Sequence, residues 1–244
     1  MHAGVGALLG VMLALVPAWS PGPALAFDSY AAVKRVLYNQ VFADQRQTLY
    51  CACPFSADRR PDLKACGYDS LRHGKRASRI EVEHVVPASW IGVGRRCWSN
   101  KICRDASGKP FKGRKCCLAI DPAFRAAYQD LHNLWPTIGE VNEIRSNYRP
   151  GLIAGEARRL GRCDFEIDKK RRLIEPRPEI RGDIARISLY MEATHGIRLS
   201  NNQRRLLQGW HHSDPPDQNE VRRHQIIERL QGRRNAWVVK PGTR

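Results

Sequence analysis

The chain has 244 residues and carries 41 Lys and Arg against 24 Asp and Glu, a formal net charge of +17. So basic a balance does not dictate a fold, but it makes anionic polymers the expected partners. Beyond the N-terminal stretch no run is long and apolar enough to cross a bilayer as a helix, and the remainder is expected to be soluble.

The first residues, MHAGVGALLGVMLALVPAWSPGPALAF, place an apolar run from Val5 to Val16 before a Pro/Gly-rich patch and Ala24-Leu25-Ala26. That is the shape of a signal peptide over residues 1–26, cleaved before Phe27, although its first part carries His2 and no Lys or Arg. The mature chain, 27–244, is read as one soluble, monomeric domain, periplasmic or secreted. All eight cysteines, at 51, 53, 66, 97, 103, 116, 117 and 163, fall in it. An even count in an exported chain predicts disulfides. The C-x-C and C-C spacings do not match the usual zinc-ligand pairs. Cys116 and Cys117, being adjacent, are expected to bond to different partners.

Tyr30, Val33, Leu37 and Val41 recur at helical spacing behind Ser29, predicting an amphipathic helix from Ser29 to Phe42. Residues 50–78 read as a loop held by bridges. Residues 79–86 alternate, with Ile80, Val82, His84 and Val86 on one side and Glu81, Glu83 and Val85 on the other, until Pro87 stops the strand. Neighbours on a regular strand face opposite ways, so Glu83 and His84 share a pocket only where the strand ends or distorts. Glu81 is a competing carboxylate, and spacing does not choose between the two.

Residues 91–117 read as a long basic loop fastened by four cysteines. Asp121-Pro122 opens a helix expected to continue to Asn133, with Gln129, His132 and Asn133 in one narrow sector. On residue type alone, His132 and Asn133 read more readily as a satisfied polar pair at a helix end. Residues 150–178 read as irregular. Helices follow over 181–195, over 200–210 behind the box Ser200-x-x-Gln203, and over 217–231 behind Asp217-x-x-Glu220 and before Gly232.

Taken as chemistry, Glu83 and the side-chain oxygen of Asn133 could hold a hard cation such as Mg²⁺, with Mn²⁺ or Ca²⁺ as substitutes. His84 could take a proton from water, and a loop arginine could grip a phosphate through its planar fork. The implied reaction is metal-assisted hydrolysis of a phosphodiester. Two other classes remain open at this stage. A non-catalytic basic module would bind nucleic acid without cutting it, and a metal phosphomonoesterase would cleave small aryl phosphates only.

The strings CGYDSLRHGKRASRIEVEHVVPASWIG, RRCW, DLHNLWPTIGEVNEIRSNY, RGDIARISLYM and QGRRNAWV resemble the bacterial endonuclease I family of periplasmic and secreted nucleases. The resemblance implies an α+β fold, mostly helical with a small sheet, disulfide-stabilised and containing a ββα-metal (His-Me finger) motif. It implies sequence-tolerant cleavage of double- and single-stranded DNA, and of RNA, to 5′-phosphate ends. By likeness to the EHVVPA and HNL strings it assigns Glu83 and Asn133 as metal ligands and His84 as general base, so choosing Glu83 over Glu81. The phosphate-holding arginine of a GGR-x-x-C context corresponds best to Arg114, with Arg104 as competitor in a lengthened loop. Arg95, Arg96, Lys112, Lys115 and Arg145 are the expected nucleic-acid contacts. Tyr128 departs from a family pattern that often has an acidic residue there.

Overall fold

A computed structural model of the chain describes residues 27–71, 74–155 and 157–239. The expected leader at 1–26 lies outside the described residues. Helix α1 (Tyr30–Val36) starts where Ser29 Oγ accepts the Ala32 N–H at 3.2 Å. Instead of continuing as one α-helix it passes into a π-helical turn, Leu37–Val41, because the Phe42 N–H reaches back five residues to the Leu37 carbonyl. Val33, Leu37 and Val41 still fall on its buried face, packed with Phe55, Ile80, Leu131, Leu134 and Ile227.

The 50–78 segment is loop apart from one turn of helix, α2 (Leu63–Cys66), capped by the Asp62 carboxylate on the Ala65 N–H. Strand β1 (Ile80–His84) ends at the Glu83–His84 step. Beyond Pro87, α3 (Ala88–Gly92) and α4 (Arg96–Ser99) follow. The expected long loop is therefore mostly ordered. It also contains a small hairpin of β2 (Cys103–Arg104) and β3 (Pro110–Phe111) and leads into α5 (Arg114–Ile120).

Helix α6 (Pro122–Tyr128) has Asp121 as its cap, as Asp-Pro predicts, but stops at Tyr128 rather than running through Asn133. The Asp130 carboxylate accepts the His132 N–H at 3.0 Å and caps a separate 3-10 turn, Leu131–Asn133. The narrow sector expected for Gln129, His132 and Asn133 therefore does not form. Strand β4 (Leu134–Ile138) pairs antiparallel with β1, setting Glu83 opposite Trp135 and His84 opposite Leu134. It turns at once into α7 (Gly139–Arg145). Gly139 is required at that turn, since a Cβ there would lie 2.7 Å from the Arg76 carbonyl oxygen.

The 150–178 stretch, expected to be irregular, carries a second sheet. Strand β5 (Arg149–Pro150) lies parallel to β7 (Leu173–Pro176), and β6 (Phe165–Asp168) lies antiparallel on its other side. The last three helices appear nearly as their caps predict: α8 (Arg181–His195), α9 (Asn201–Ser213) and α10 (Gln218–Gln231). Ser200 and Asp217 accept the Gln203 and Glu220 N–H groups, and Gly232 closes α10 with φ +69°. Buried Ile184, Ile187, Leu189, Tyr190 and Met191 make α8 the axis of the larger core.

The chain is thus α+β, helix-rich with small sheets, and none of its described helices is long and apolar enough to cross a membrane. Four disulfides join Cys51 to Cys163, Cys53 to Cys66, Cys97 to Cys117 and Cys103 to Cys116, leaving no free thiol. Neighbours Cys116 and Cys117 do bond to different partners. Both of their bridges fasten the 97–117 segment to itself, immediately after Arg114.

Candidate active site

A cavity of about 750 Å³ opens beside the β1–β4–α7 unit. Glu81, Glu83 and His84 from β1 line it, together with Tyr30 and Lys34 from α1, Arg114 from α5, Tyr128 from α6, and Asn142 and Arg145 from α7. Glu81 and Glu83 share a strand face by the two-residue period. His84 joins them because β1 ends there and the chain bends away toward Pro87.

Glu83 is buried; its Oε1 accepts the Tyr50 hydroxyl at 2.9 Å and forms an ion pair with Arg145 Nε, also at 2.9 Å. Burial pushes its carboxyl up, while the Arg145 charge and the Tyr50 bond oppose that push. The other carboxylate oxygen takes no part in these two contacts. Arg145 was expected on a nucleic-acid surface, but it is 1 % exposed and bound to Glu83, to the Val85 carbonyl and to the Ser146 carbonyl. Glu81 is more fully engaged: Arg76, Arg79 and the Asn142 amide all donate to its carboxylate and hold its pKa down against burial.

His84 Nε2 lies 2.9 Å from the Tyr128 carbonyl oxygen. A carbonyl only accepts, so Nε2 carries the hydrogen and the neutral ring presents its lone pair at Nδ1. Burial lowers the imidazole pKa to about 4, helped by the positive charges of Arg114 and Arg145 and opposed by the bond to Tyr128. The Tyr128 ring sits 4.2 Å from the imidazole, Tyr30 stacks on the same imidazole at 5.8 Å, and the Arg114 guanidinium lies 5.7 Å over Tyr128. Arg104, the competing arginine, is exposed on the β2–β3 hairpin, donates to the Gly108 carbonyl and does not reach the cavity.

Asn133 is not on the cavity wall. It is wholly buried, with Oδ1 accepting the Val86 N–H at 2.7 Å and Nδ2 donating to the Val86 carbonyl at 3.0 Å. Its own carbonyl accepts the Val85 N–H at 3.0 Å. One bond at each end of the amide thus clamps the bend that follows His84, and Oδ1 keeps a second lone pair. His132 is buried elsewhere, its Nε2 3.0 Å from the Arg233 carbonyl oxygen and its ring stacked on His224. Asn142, nine residues further on, does line the cavity, its Nδ2 donating to the Glu81 carboxylate at 2.9 Å.

Of the other expected nucleic-acid contacts, none lines the cavity. Arg95 is tied to Asp121 at 2.7 Å and to the Ile91 carbonyl, and Lys112 to the Ser99 carbonyl. Arg96 and Lys115 are exposed on the outside of the disulfide-bound segment. Among the described residues the cavity's cations are Lys34, Arg59, Arg76, Arg79, Arg114 and Arg145. Four of these had no signal in periodicity or motif, although RASRIEVEH places Arg76 and Arg79 just ahead of the strand. GEVNEIR carries Asn142 and Arg145 three residues apart on one helical face, and that spacing was the available clue to α7.

The family profile described as Endonuclease I matches residues 38–242. An extracellular deoxyribonuclease of Aeromonas hydrophila is 37 % identical over 237 residues, covering 96 % of this chain and 97 % of its own. A periplasmic deoxyribonuclease of the same organism is 36 % identical over 225 residues, 91 % of this chain and 90 % of its own. Endonuclease-1 of Buchnera aphidicola subsp. Acyrthosiphon pisum (strain APS) is 36 % identical over 209 residues, 84 % and 79 % of the two chains. With such relatives and every described cysteine oxidised, the protein is periplasmic or secreted. A match over this much of the chain makes it a member of the endonuclease I family.

Proposed function

We propose that the chain is an endonuclease that hydrolyses phosphodiester bonds of DNA, and of RNA, to 5′-phosphate ends, using one divalent metal and His84 as general base. The observation that carries this reading is the cavity itself. It sets an imidazole with a free Nδ1 lone pair beside a buried carboxylate, under the Arg114 guanidinium, which makes no ion pair among the described residues.

The β1–β4–α7 unit, two antiparallel strands followed directly by a helix, agrees with a ββα-metal motif. Its donor set suits a hard cation: the Glu83 oxygen not engaged by Tyr50 and Arg145, and the Asn142 amide oxygen, with water and substrate phosphate completing the shell. Mg²⁺ fits best, with Mn²⁺ or Ca²⁺ as substitutes. Such an ion supplies Lewis-acid stabilisation of charge on the phosphate and the departing oxygen. His84 Nδ1 takes the proton from the attacking water. Arg114 holds a non-bridging phosphate oxygen. Arg145 favours the ionised form of Glu83 at a site where burial disfavours it.

Digestion of supercoiled plasmid with and without EDTA tests the whole reading. Metal-dependent nicking, with ends that label only after phosphatase treatment, is expected. Salt-sensitive binding without nicking would leave a binding module instead, and nicking indifferent to EDTA would remove the metal.

The two asparagines give a sharper result. Asn142→Ala is expected to weaken metal activation of cleavage by about 10–100-fold while changing the unfolding midpoint little. Asn133→Ala should leave two Val86 backbone groups unpaired in the interior and cost roughly 2–4 kcal/mol in urea unfolding. An Asn133→Ala variant of normal stability but altered metal requirement would return the ligand role to Asn133.

A further inference from the structure

Among the described residues six cations line the cavity, and three of them have acidic partners there. Arg76 and Arg79 are bound to Glu81 and Arg145 to Glu83, while Arg114, over Tyr128 beside His84, is the arginine given to the phosphate to be cut. Lys34 and Arg59 remain. Among the described residues neither makes an ion pair, and each is set on an aromatic face. Lys34 Nζ is 5.6 Å from the Tyr30 ring centre and Arg59 Cζ is 5.5 Å from that of Tyr38. The one acid in the turn that carries Arg59, Asp58, is held by Arg60 at 2.9 Å.

Arg59 is also held in an uncommon backbone state, φ +64°. Its N–H donates to the Ser56 carbonyl at 2.9 Å, and its carbonyl accepts the Ile80 N–H, also at 2.9 Å. The turn is thereby fixed to the first residue of the strand that ends in Glu83 and His84. Two cations without acidic partners are thus built into the wall of the catalytic cavity, on elements other than the one that supplies Arg114.

We propose that Lys34 and Arg59 form a second phosphate subsite, which takes a phosphodiester flanking the one to be cut. The substrate class that satisfies both positions is a polynucleotide with successive phosphates along the cleft, not a terminal phosphate or a lone phosphodiester. The subsite deepens the nuclease reading and rests on it. Its cost in backbone strain is accepted at the position where the cation is needed.

The test compares Lys34→Ala, Arg59→Ala and Arg59→Gly on a labelled duplex oligonucleotide and on bis(p-nitrophenyl) phosphate, which has a single phosphodiester. Glycine accommodates the positive φ without the cation, so Arg59→Gly separates loss of charge from loss of the turn. Duplex binding is measured in parallel on the His84→Ala background in EDTA. Each substitution is expected to raise KM for the duplex more than for the single phosphodiester. It should also lower the slope of log affinity against log salt by about 1.

An unchanged salt slope and KM in both Lys34→Ala and Arg59→Ala would overturn the subsite and leave the nuclease reading intact. Equal losses on the two substrates would overturn it as well, because a flanking contact has no phosphate to bind in the small ester. A wild-type chain that binds duplex through these cations but cuts neither substrate would reject the nuclease reading while the subsite stands.

Discussion

His84→Ala is expected to slow plasmid cleavage by roughly 10²–10⁴-fold, the span of a lost general base, while duplex binding survives. The argument is geometric before it is electrostatic. Nε2 is committed to the Tyr128 carbonyl, which fixes the tautomer and aims Nδ1 away from that bond. The ring is held between Tyr30 and Tyr128, so little orientational freedom remains to be lost in reaction. The charged form is disfavoured by burial and by Arg114 and Arg145, which depress the pKa to about 4. A depressed value keeps the base neutral throughout the pH range of the periplasm. The acid limb of kcat/KM should accordingly lie well below 6.5, near 4. A limb centred on 6.5 in wild type, or near-normal cleavage by His84→Ala that persists at saturating metal, would remove His84 from the base role.

Much of this site was legible in the sequence, and the parts that were not share a physical cause. Alternation ending at Pro87 marked β1, and the demand that Glu83 and His84 share a pocket required the strand to end there, as it does. Side-chain caps at Ser29, Asp121, Ser200 and Asp217 marked four helix starts, because a cap is a bond between residues three apart. What failed were features set by partners far along the chain. Helix α6 stops at Tyr128 because Asp130 is drawn out of helical geometry by residues 60 to 101 positions away. For Asn133 the illegible part is its setting: its amide pairs with Val86, 47 residues earlier, and no local pattern predicts that pairing. Lys34 and Arg59 reach the cavity only through the packing of α1 and the 56–60 turn against β1.

The same long-range bonds give the second large effect. Asp130 is buried, and its Oδ2 accepts the Tyr190 hydroxyl and His195 Nε2, each at 2.7 Å, while Oδ1 accepts Gln231 Nε2 at 2.7 Å and the His132 N–H at 3.0 Å. One carboxylate thus joins the 3-10 turn to α8 and α10. These bonds and the nearby histidines hold its pKa well below the usual carboxylate range, against the burial that raises it. Asp130→Ala leaves four donors without an acceptor in the interior and is expected to cost about 3–5 kcal/mol. In a domain of this size that is a fall in Tm of roughly 6–20 °C. Cleavage should fail at the temperature where the turn opens, since the Asn133 clamp behind His84 belongs to it. The pH dependence has a definite sign. Asp130 has a depressed folded pKa, so its contribution is present above its unfolded value and is lost as acid protonates it. His132, also depressed by burial, to about 4, takes up a proton more readily when unfolded. Wild-type stability should therefore decline as pH falls from 6.5 toward 4, and decline further below that as Asp130 titrates. Urea midpoints from pH 8 to pH 3, for wild type and Asp130→Asn, decide the matter. Asparagine has no carboxylate to protonate, so its loss below pH 4 should be smaller than that of wild type. Parallel curves for the two proteins would show that Asp130 is not the hub that the geometry makes it.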